Sequence, residues 1–293
     1  MIYGIRTVVR YLLGTDIAGR TLAIYPDDTF VVSYPRSGNT WTRFLIANLL
    51  HPEEPVTFAT IERIVPDSEA QSRRTLRSIP RPRVIKSHQY FHPRFRKVIY
   101  IVRDPRDVVL SYYDFQRKYR QIQDGYPLSQ YVREFLEGGL GLGDWGTWAE
   151  NVQSWISTRE GHPGFLLLRY EDMSANTGQE LAKLAWFLGI NPNPQLLANA
   201  IERSSADRLR ELERVQAKEW VSTKNRRDDI PFIRTATSGG WKENLPADAV
   251  ASIEGAWGSL MRHLGYPLTM GEPSQPGPQA ADLQPSFRGE TSG

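Results

Sequence analysis

Four short runs rich in Val, Ile and Leu, at residues 29–34, 83–86, 97–102 and 165–169, each end in polar or Gly/Pro residues. Continuous apolar runs of this length read as strands covered on both faces, the pattern of a parallel sheet. Helical periodicity follows at 40–50, 106–116 and 179–188, and a further helical pattern at 145–156 precedes the fourth run. Strand and helix in alternation predict a single α/β domain, with a central parallel β-sheet flanked by helices on both faces. Function in such sheets gathers at the loops leaving the carboxyl ends of the strands.

The 293 residues include no cysteine, which excludes a disulfide scaffold and a thiolate-held metal site. A net charge of +3 arises from a dense mixture of both signs, unlike the lopsided basicity of a nucleic-acid wrapper, so no nucleic-acid partner is expected. Of 36 cationic residues only seven are lysine (86, 97, 118, 183, 218, 224 and 242). The arginine excess fits either codon bias or anion recognition, because Arg offers a rigid fork of donors. No run approaches the roughly 18 to 20 apolar residues of a membrane span, and no signal-peptide core opens the chain; a soluble, cytoplasmic protein is expected.

Residues 1–28 read as an N-terminal amphipathic helix and its lead-in, with Ile5, Val8, Val9, Leu12 and Leu13 on one face and Gly14 as the stop. Residues 1–13 suit docking on their own domain better than peripheral membrane contact. Five glycines within 138–146 predict a mobile loop. Residues 267–293, rich in Pro, Gly, Ser and Gln, read as a disordered tail, leaving 29–266 as the working domain.

The first strand runs into Y-P-R-S-G-N-T-W at 34–41, where an apolar helix begins. A strand, a tight polar loop and a helix N-terminus aim several backbone N–H groups at one point, which suits an anion. Arg36 supplies charge, Ser37, Asn39 and Thr40 supply short donors, and Gly38 permits the tight turn. An ordinary βα turn capped by Thr40 is the bland alternative. The loop is P-loop-like, but G-x-x-x-x-G-K-[ST] requires Gly at 33 and Lys at 39, where this chain has Ser33 and Asn39. The segment resembles the 5'-phosphosulfate loop, Y-P-K-S-G-[TN]-T-W, of sulfotransferases that use 3'-phosphoadenylyl sulfate (PAPS). Arg36 stands where that family usually has lysine.

Three further blocks extend the resemblance. Residues 97–113, K-V-I-Y-I-V-R-D-P-R-D-V-V-L-S-Y-Y, put Arg103 at a strand end and Ser111 on the following helix. In isolation Arg103 would pair with Asp104 or Asp107 as a solvated turn. The block is similar to the family's 3'-phosphate motif, which implies that Arg103 and Ser111 bind that phosphate. R-V-I-K-S-H at 83–88 places Lys86 and His88 two apart on a strand, hence on one face. An isolated histidine is more often structural than catalytic. This segment resembles the family's K-T-H, which implies His88 as general base and Lys86 as the contact to the sulfuryl group. I-R-T-A-T-S-G-G-W-K-E-N at 233–244 parallels R-K-G-x-x-G-x-W-K-N, implying nucleotide contacts from Arg234, Thr235 and Ala236, the last two in place of Lys-Gly.

By the same resemblance Tyr170 and Trp41 contact the adenine, with core packing as their alternative, and Ser205 touches the base without the aromatic that usually follows it. The implied activity is in-line transfer of the sulfuryl group of PAPS to a hydroxyl, with His88, Lys86 and Arg36 at the reacting atoms. The product is adenosine 3',5'-bisphosphate and no metal is expected. The acceptor is a small-molecule, lipid or carbohydrate hydroxyl facing the aromatic residues of 112–148. The short dimerisation motif of animal cytosolic members is not found after Lys242, which leaves the oligomeric state open. A phosphotransferase using ATP and Mg²⁺, and a non-enzymatic polyanion-binding module, are the rival readings.

Overall fold

A computed structural model describes residues 10–139, 145–218, 220, 222–233 and 238–269. Four strands, β1 (Thr29–Ser33), β2 (Val84–Ser87), β3 (Lys97–Val102) and β4 (Phe165–Arg169), form one sheet in the order β2-β1-β3-β4. Every pairing is parallel, with Thr29 opposite both Val84 and Lys97. Residues alternate between faces along a strand, and the core divides accordingly. Phe30, Val32 and Tyr100 belong to one apolar cluster, whereas Val31, Ile99 and Ile101 belong to another.

The helices are α1 (Asn39–Leu50), α2 (Ile61–Ile64), α3 (Arg73–Ser78), α4 (Pro105–Lys118), α5 (Leu128–Leu136), α6 (Trp148–Arg159), α7 (Tyr170–Ala175), α8 (Thr177–Leu188), α9 (Pro194–Arg203), α10 (Ala206–Gln216), α11 (Trp241–Asn244) and α12 (Ala247–His263). Helices α4, α5, α6 and α12 fill the first cluster, and α1, α8, α9 and α10 the second. The expected flanked sheet is therefore present. Its last strand, β4, is half-buried at the sheet edge rather than fully covered.

Local chemistry sets the element ends. Helix α6 starts at Trp148, later than the expected 145, because Thr147 and Glu150 close a reciprocal capping box. Asp104 caps α4 by accepting from Arg106 N, and Pro105 occupies the first turn. Arg83, expected inside the second strand, lies just before it, where its buried guanidinium grips Asp28 at 2.9 and 2.5 Å. Arg106 is fully buried between Asp104 and Glu254, which ties α4 to α12. A helical stretch at 10–13 ends at Gly14 with φ 65°; residues 1–9 of the expected N-terminal helix lie outside the described residues. So do 140–144 of the glycine-rich segment and 270–293 of the expected tail, while Thr269 remains bonded to Glu254. No helix among the described residues is long and apolar enough to cross a membrane.

Candidate functional site

The loop between β1 and α1 turns sharply. Arg36 has φ 69° and Gly38 φ 96°, both in the left-handed region, where only glycine is free of steric cost. A Cβ on Gly38 would sit 2.4 Å from the Tyr170 ring, so the aromatic lies directly against the bare backbone. Gly38, not Thr40, holds the N-cap position of α1, and no side chain caps that helix. Its first-turn N–H groups thus remain available to an anion. The Ser37 hydroxyl is buried without a hydrogen-bond partner among the described residues. Where a Walker loop carries its lysine, Asn39 turns its amide back onto Val31 O and Ser33 Oγ at 3.3 and 3.1 Å; its side-chain donors serve β1.

Arg36 reaches across the site. Its Nε donates to Ser111 Oγ at 3.0 Å, and its guanidinium stands 5.2 Å from the Phe115 ring centre and 4.7 Å from that of Phe232. Arg103, just past β3, donates to Arg36 O at 3.2 Å and lies 4.3 Å from the Tyr170 ring centre. The neighbouring acids are committed elsewhere: Asp104 to Arg106, and Asp107 to the N–H groups of Gly239 and Trp241 at 2.7 and 3.0 Å. Arg36, Ser111, Arg103 and Tyr170 therefore form one group drawn from the loops after β1 and β3 and from α4 and α7.

On the other side of β1, His88 follows β2. Its Nδ1 is 2.7 Å from the carbonyl of Ser33; a carbonyl can only accept, so Nδ1 carries the proton and Nε2 keeps its lone pair. Burial, followed by the Lys86 ammonium, pushes His88 down to about 3, which keeps the ring neutral at ordinary pH. Lys86 is buried, and its Nζ contacts Asp67 at 2.9 and 3.0 Å and Glu69 at 3.0 Å. Burial opposes the charge on Lys86, but the two carboxylates outweigh it and raise its pKa. Asp67, likewise penalised by burial, is held far below the usual carboxylate range by Lys86 and Arg43. Glu69 moves the other way, raised by burial and by Asp67 against the pull of Lys86.

These groups line one cavity of about 920 Å³ at the carboxyl end of the sheet. Among the described residues expected at the site, Arg36, Gly38, Asn39, Thr40, Trp41 and Lys86 border it, as do His88, Arg103, Ser111, Tyr170 and Ser205, whereas Ser37 is fully buried and does not. Trp41 and Tyr170 meet edge to face with ring centres 5.8 Å apart, and Ser205 caps α10 close by. Tyr112, Phe115, Tyr119, Trp145 and Phe232 wall the part near Arg36 and His88. Arg234, Thr235 and Ala236 lie outside the described residues. Asp67, Glu69 and Phe232 went unread in the sequence. V-P-D-S-E at 65–69 has no recognisable spacing, and contact with Lys86 arises only when its loop pairs beside β2.

A family model for the sulfotransferase domain matches residues 26–265. Sulfotransferase 1B1 of Canis lupus familiaris is 29% identical over 233 residues, 74% of this chain and 77% of its own. The 3-beta-hydroxysteroid sulfotransferase of Cavia porcellus is 29% identical over 251 residues, 82% of this chain and 85% of its own. Among solved structures, retinol dehydratase in complex with androsterone and inactive cofactor PAP superposes with a TM-score of 0.70 at 21% identity, covering 86% of this chain and 85% of that one. A mouse sulfotransferase complexed with PAP gives 0.67 at 23% identity, covering 83% and 87%. At these identities the likeness to solved structures is one of fold.

Proposed function

The chain belongs to the sulfotransferase domain family and is a PAPS-dependent sulfotransferase acting on hydroxyl acceptors, and from that premise we propose how its residues carry the reaction. The observation that supports the assignment best is the convergence on one cavity of an uncapped helix N-terminus, Arg36 and Arg103 on one side of β1 and a tautomer-fixed His88 on the other. The 5'-phosphosulfate occupies the loop at 36–41, where the first-turn N–H groups of α1 and Arg36 meet it. Arg103 and Ser111 take the 3'-phosphate, joined by Arg234 from the segment that includes Thr235 and Ala236. The adenine lies by Trp41 and Tyr170, with Ser205 at its edge.

Transfer is an in-line displacement. His88 Nε2 takes the proton from the acceptor hydroxyl, the acceptor oxygen bonds to sulfur, and the bond between sulfur and the bridging phosphate oxygen breaks with its electron pair on that oxygen. Lys86 steadies the moving sulfuryl group, and Arg36 with the helix N-terminus steadies the departing phosphate. These cations supply the charge, and the scheme uses no metal. An anionic donor beside His88 favours its imidazolium and so opposes the effect of burial and Lys86.

The aromatic wall supports an acceptor with an apolar ring face, a small-molecule or lipid hydroxyl. The relative named for 3-beta-hydroxysteroids and the solved structure holding androsterone point the same way. A cytoplasmic setting accompanies the resemblance to cytosolic-type members. Incubating purified protein with PAPS and a library of hydroxyl compounds, and scoring sulfated products by mass spectrometry, tests the reading. Sulfation of ring-bearing alcohols with release of adenosine 3',5'-bisphosphate is expected, unchanged by chelator. Turnover of ATP·Mg²⁺ in place of PAPS would overturn it.

A further inference from the structure

Two acids in the wall of a pocket built for a polyanion call for an explanation, since each repels the donor that the pocket must hold. Asp67 and Glu69 stand on the loop between α2 and α3, which runs beside β2: Lys86 N donates to Pro66 O at 2.8 Å and Ser68 N to Lys86 O at 3.0 Å. Their carboxylates make three contacts with the Lys86 ammonium at 2.9 to 3.0 Å, matching its three donors. The second oxygen of Glu69 accepts from Ser68 Oγ at 3.1 Å, and from Ser87 Oγ and His88 N at 3.0 Å each. One carboxylate therefore joins the side chain of Lys86 to the backbone of His88.

Buried ion pairs add little net stability, and this one faces the cavity instead of the core. We propose that Asp67 and Glu69 are positioning residues of sulfuryl transfer, a clamp that fixes Lys86 and His88 relative to each other. One donor of the ammonium passes from a carboxylate to a sulfuryl oxygen as transfer proceeds. The inference rests on the sulfotransferase reading and assigns no chemistry to the acids themselves.

The groups facing Glu69 are Asp67 from its own loop and Lys86 and His88 from β2 and its end; Arg43 of α1 and Glu62 of α2 stand behind Asp67. Glu69 is the acid of this set that burial disposes to protonate as pH falls, and its protonation loosens the clamp. The test uses the full-length protein, with Glu69→Gln and Asp67→Asn compared to wild type in kcat and KM for PAPS across pH. Calorimetry with adenosine 3',5'-bisphosphate accompanies the kinetics.

Each variant is expected to lose at least tenfold in kcat with bisphosphate Kd within about twofold of wild type, and Glu69→Gln to lose the Glu69 contribution to the acid limb of the kcat profile. Ser87→Ala, which removes one donor to Glu69 and leaves every charge in place, carries the test if the others do not fold; it is expected to lower kcat by a smaller factor at unchanged Kd. Unaltered kcat, or a fall with an unshifted pH profile in Glu69→Gln, overturns the clamp. Absence of PAPS turnover in the wild type overturns the sulfotransferase reading and this inference with it.

Discussion

Arg36 adopts a backbone conformation that a residue with a Cβ resists, two positions before a glycine that is packed against an aromatic ring. Strain held at one turn costs about 1 to 3 kcal/mol, and here it aims a guanidinium between two phenyl rings toward Ser111. Gly38→Ala would drive a methyl into Tyr170; we expect a loss of about 1 to 3 kcal/mol in urea unfolding and a clear rise in bisphosphate Kd by calorimetry. His88→Ala should lower kcat by about 10²- to 10⁴-fold with nucleotide binding kept. Full activity in that variant would remove His88 as the base. The same histidine shapes acid stability. Its folded pKa, near 3, lies below the unfolded 6.5, so as pH falls below 6.5 the unfolded chain binds a proton that the native state refuses. Stability from this group therefore falls as pH drops through that window. His88→Ala should flatten the slope between pH 6.5 and 5 relative to wild type, whatever the opposing contribution of Glu69.

At the scale of elements, the site is made by loops that other elements brace. Glu213 on α10 accepts from Phe232 N and Ile233 N at 2.6 and 2.8 Å, while Lys118 at the end of α4 donates to Arg227 O and Ile230 O at 2.8 and 2.6 Å. Asp107 holds Gly239 and Trp241 at the far side of the same stretch. Asp107→Asn keeps the shape and loses the charge-assisted bonds; a destabilisation of about 1 to 3 kcal/mol is expected in urea titration, together with weaker bisphosphate binding. The strands were legible because apolar runs at 97–102 and 165–169 need no partner to be recognised. Thr147 and Glu150 carried a readable start signal that the apolar pattern at 145 obscured. Motif residues became candidates through the resemblance of short contiguous segments, Arg36 with Gly38 and Lys86 with His88. Asp67 and Glu69 did not, because a buried carboxylate that meets a lysine 19 or 17 positions away leaves no local pattern. Phe232, opposite Arg36 from 196 positions away, is equally silent.

For the molecule as a whole, the arginine excess divides by place. Arg83 and Arg106 are buried struts with carboxylate partners, Arg210 and Arg214 pair at the surface, and Arg36 and Arg103 face the cavity. Such a distribution favours one compact, highly charged ligand over a long polyanion. Adenosine 3',5'-bisphosphate at 100 times its Kd should raise stability by about 2.7 kcal/mol, read as a higher Tm, whereas heparin should produce no shift that depends on Arg103. The strand order carries a consequence for how such a molecule can diversify. Because β1 lies between β2 and β3, the segments that carry Arg36, His88 and Arg103 leave neighbouring strands held in register. The long connection from residue 51 to 83 is left outside that registered frame, entering it beside Lys86. Rewriting that connection would disturb Asp67 and Glu69 beside Lys86. Tyr112, Phe115, Tyr119, Trp145 and Phe232 reach the cavity from other segments, so a change in what the wall admits is expected there, away from the loop that touches Lys86.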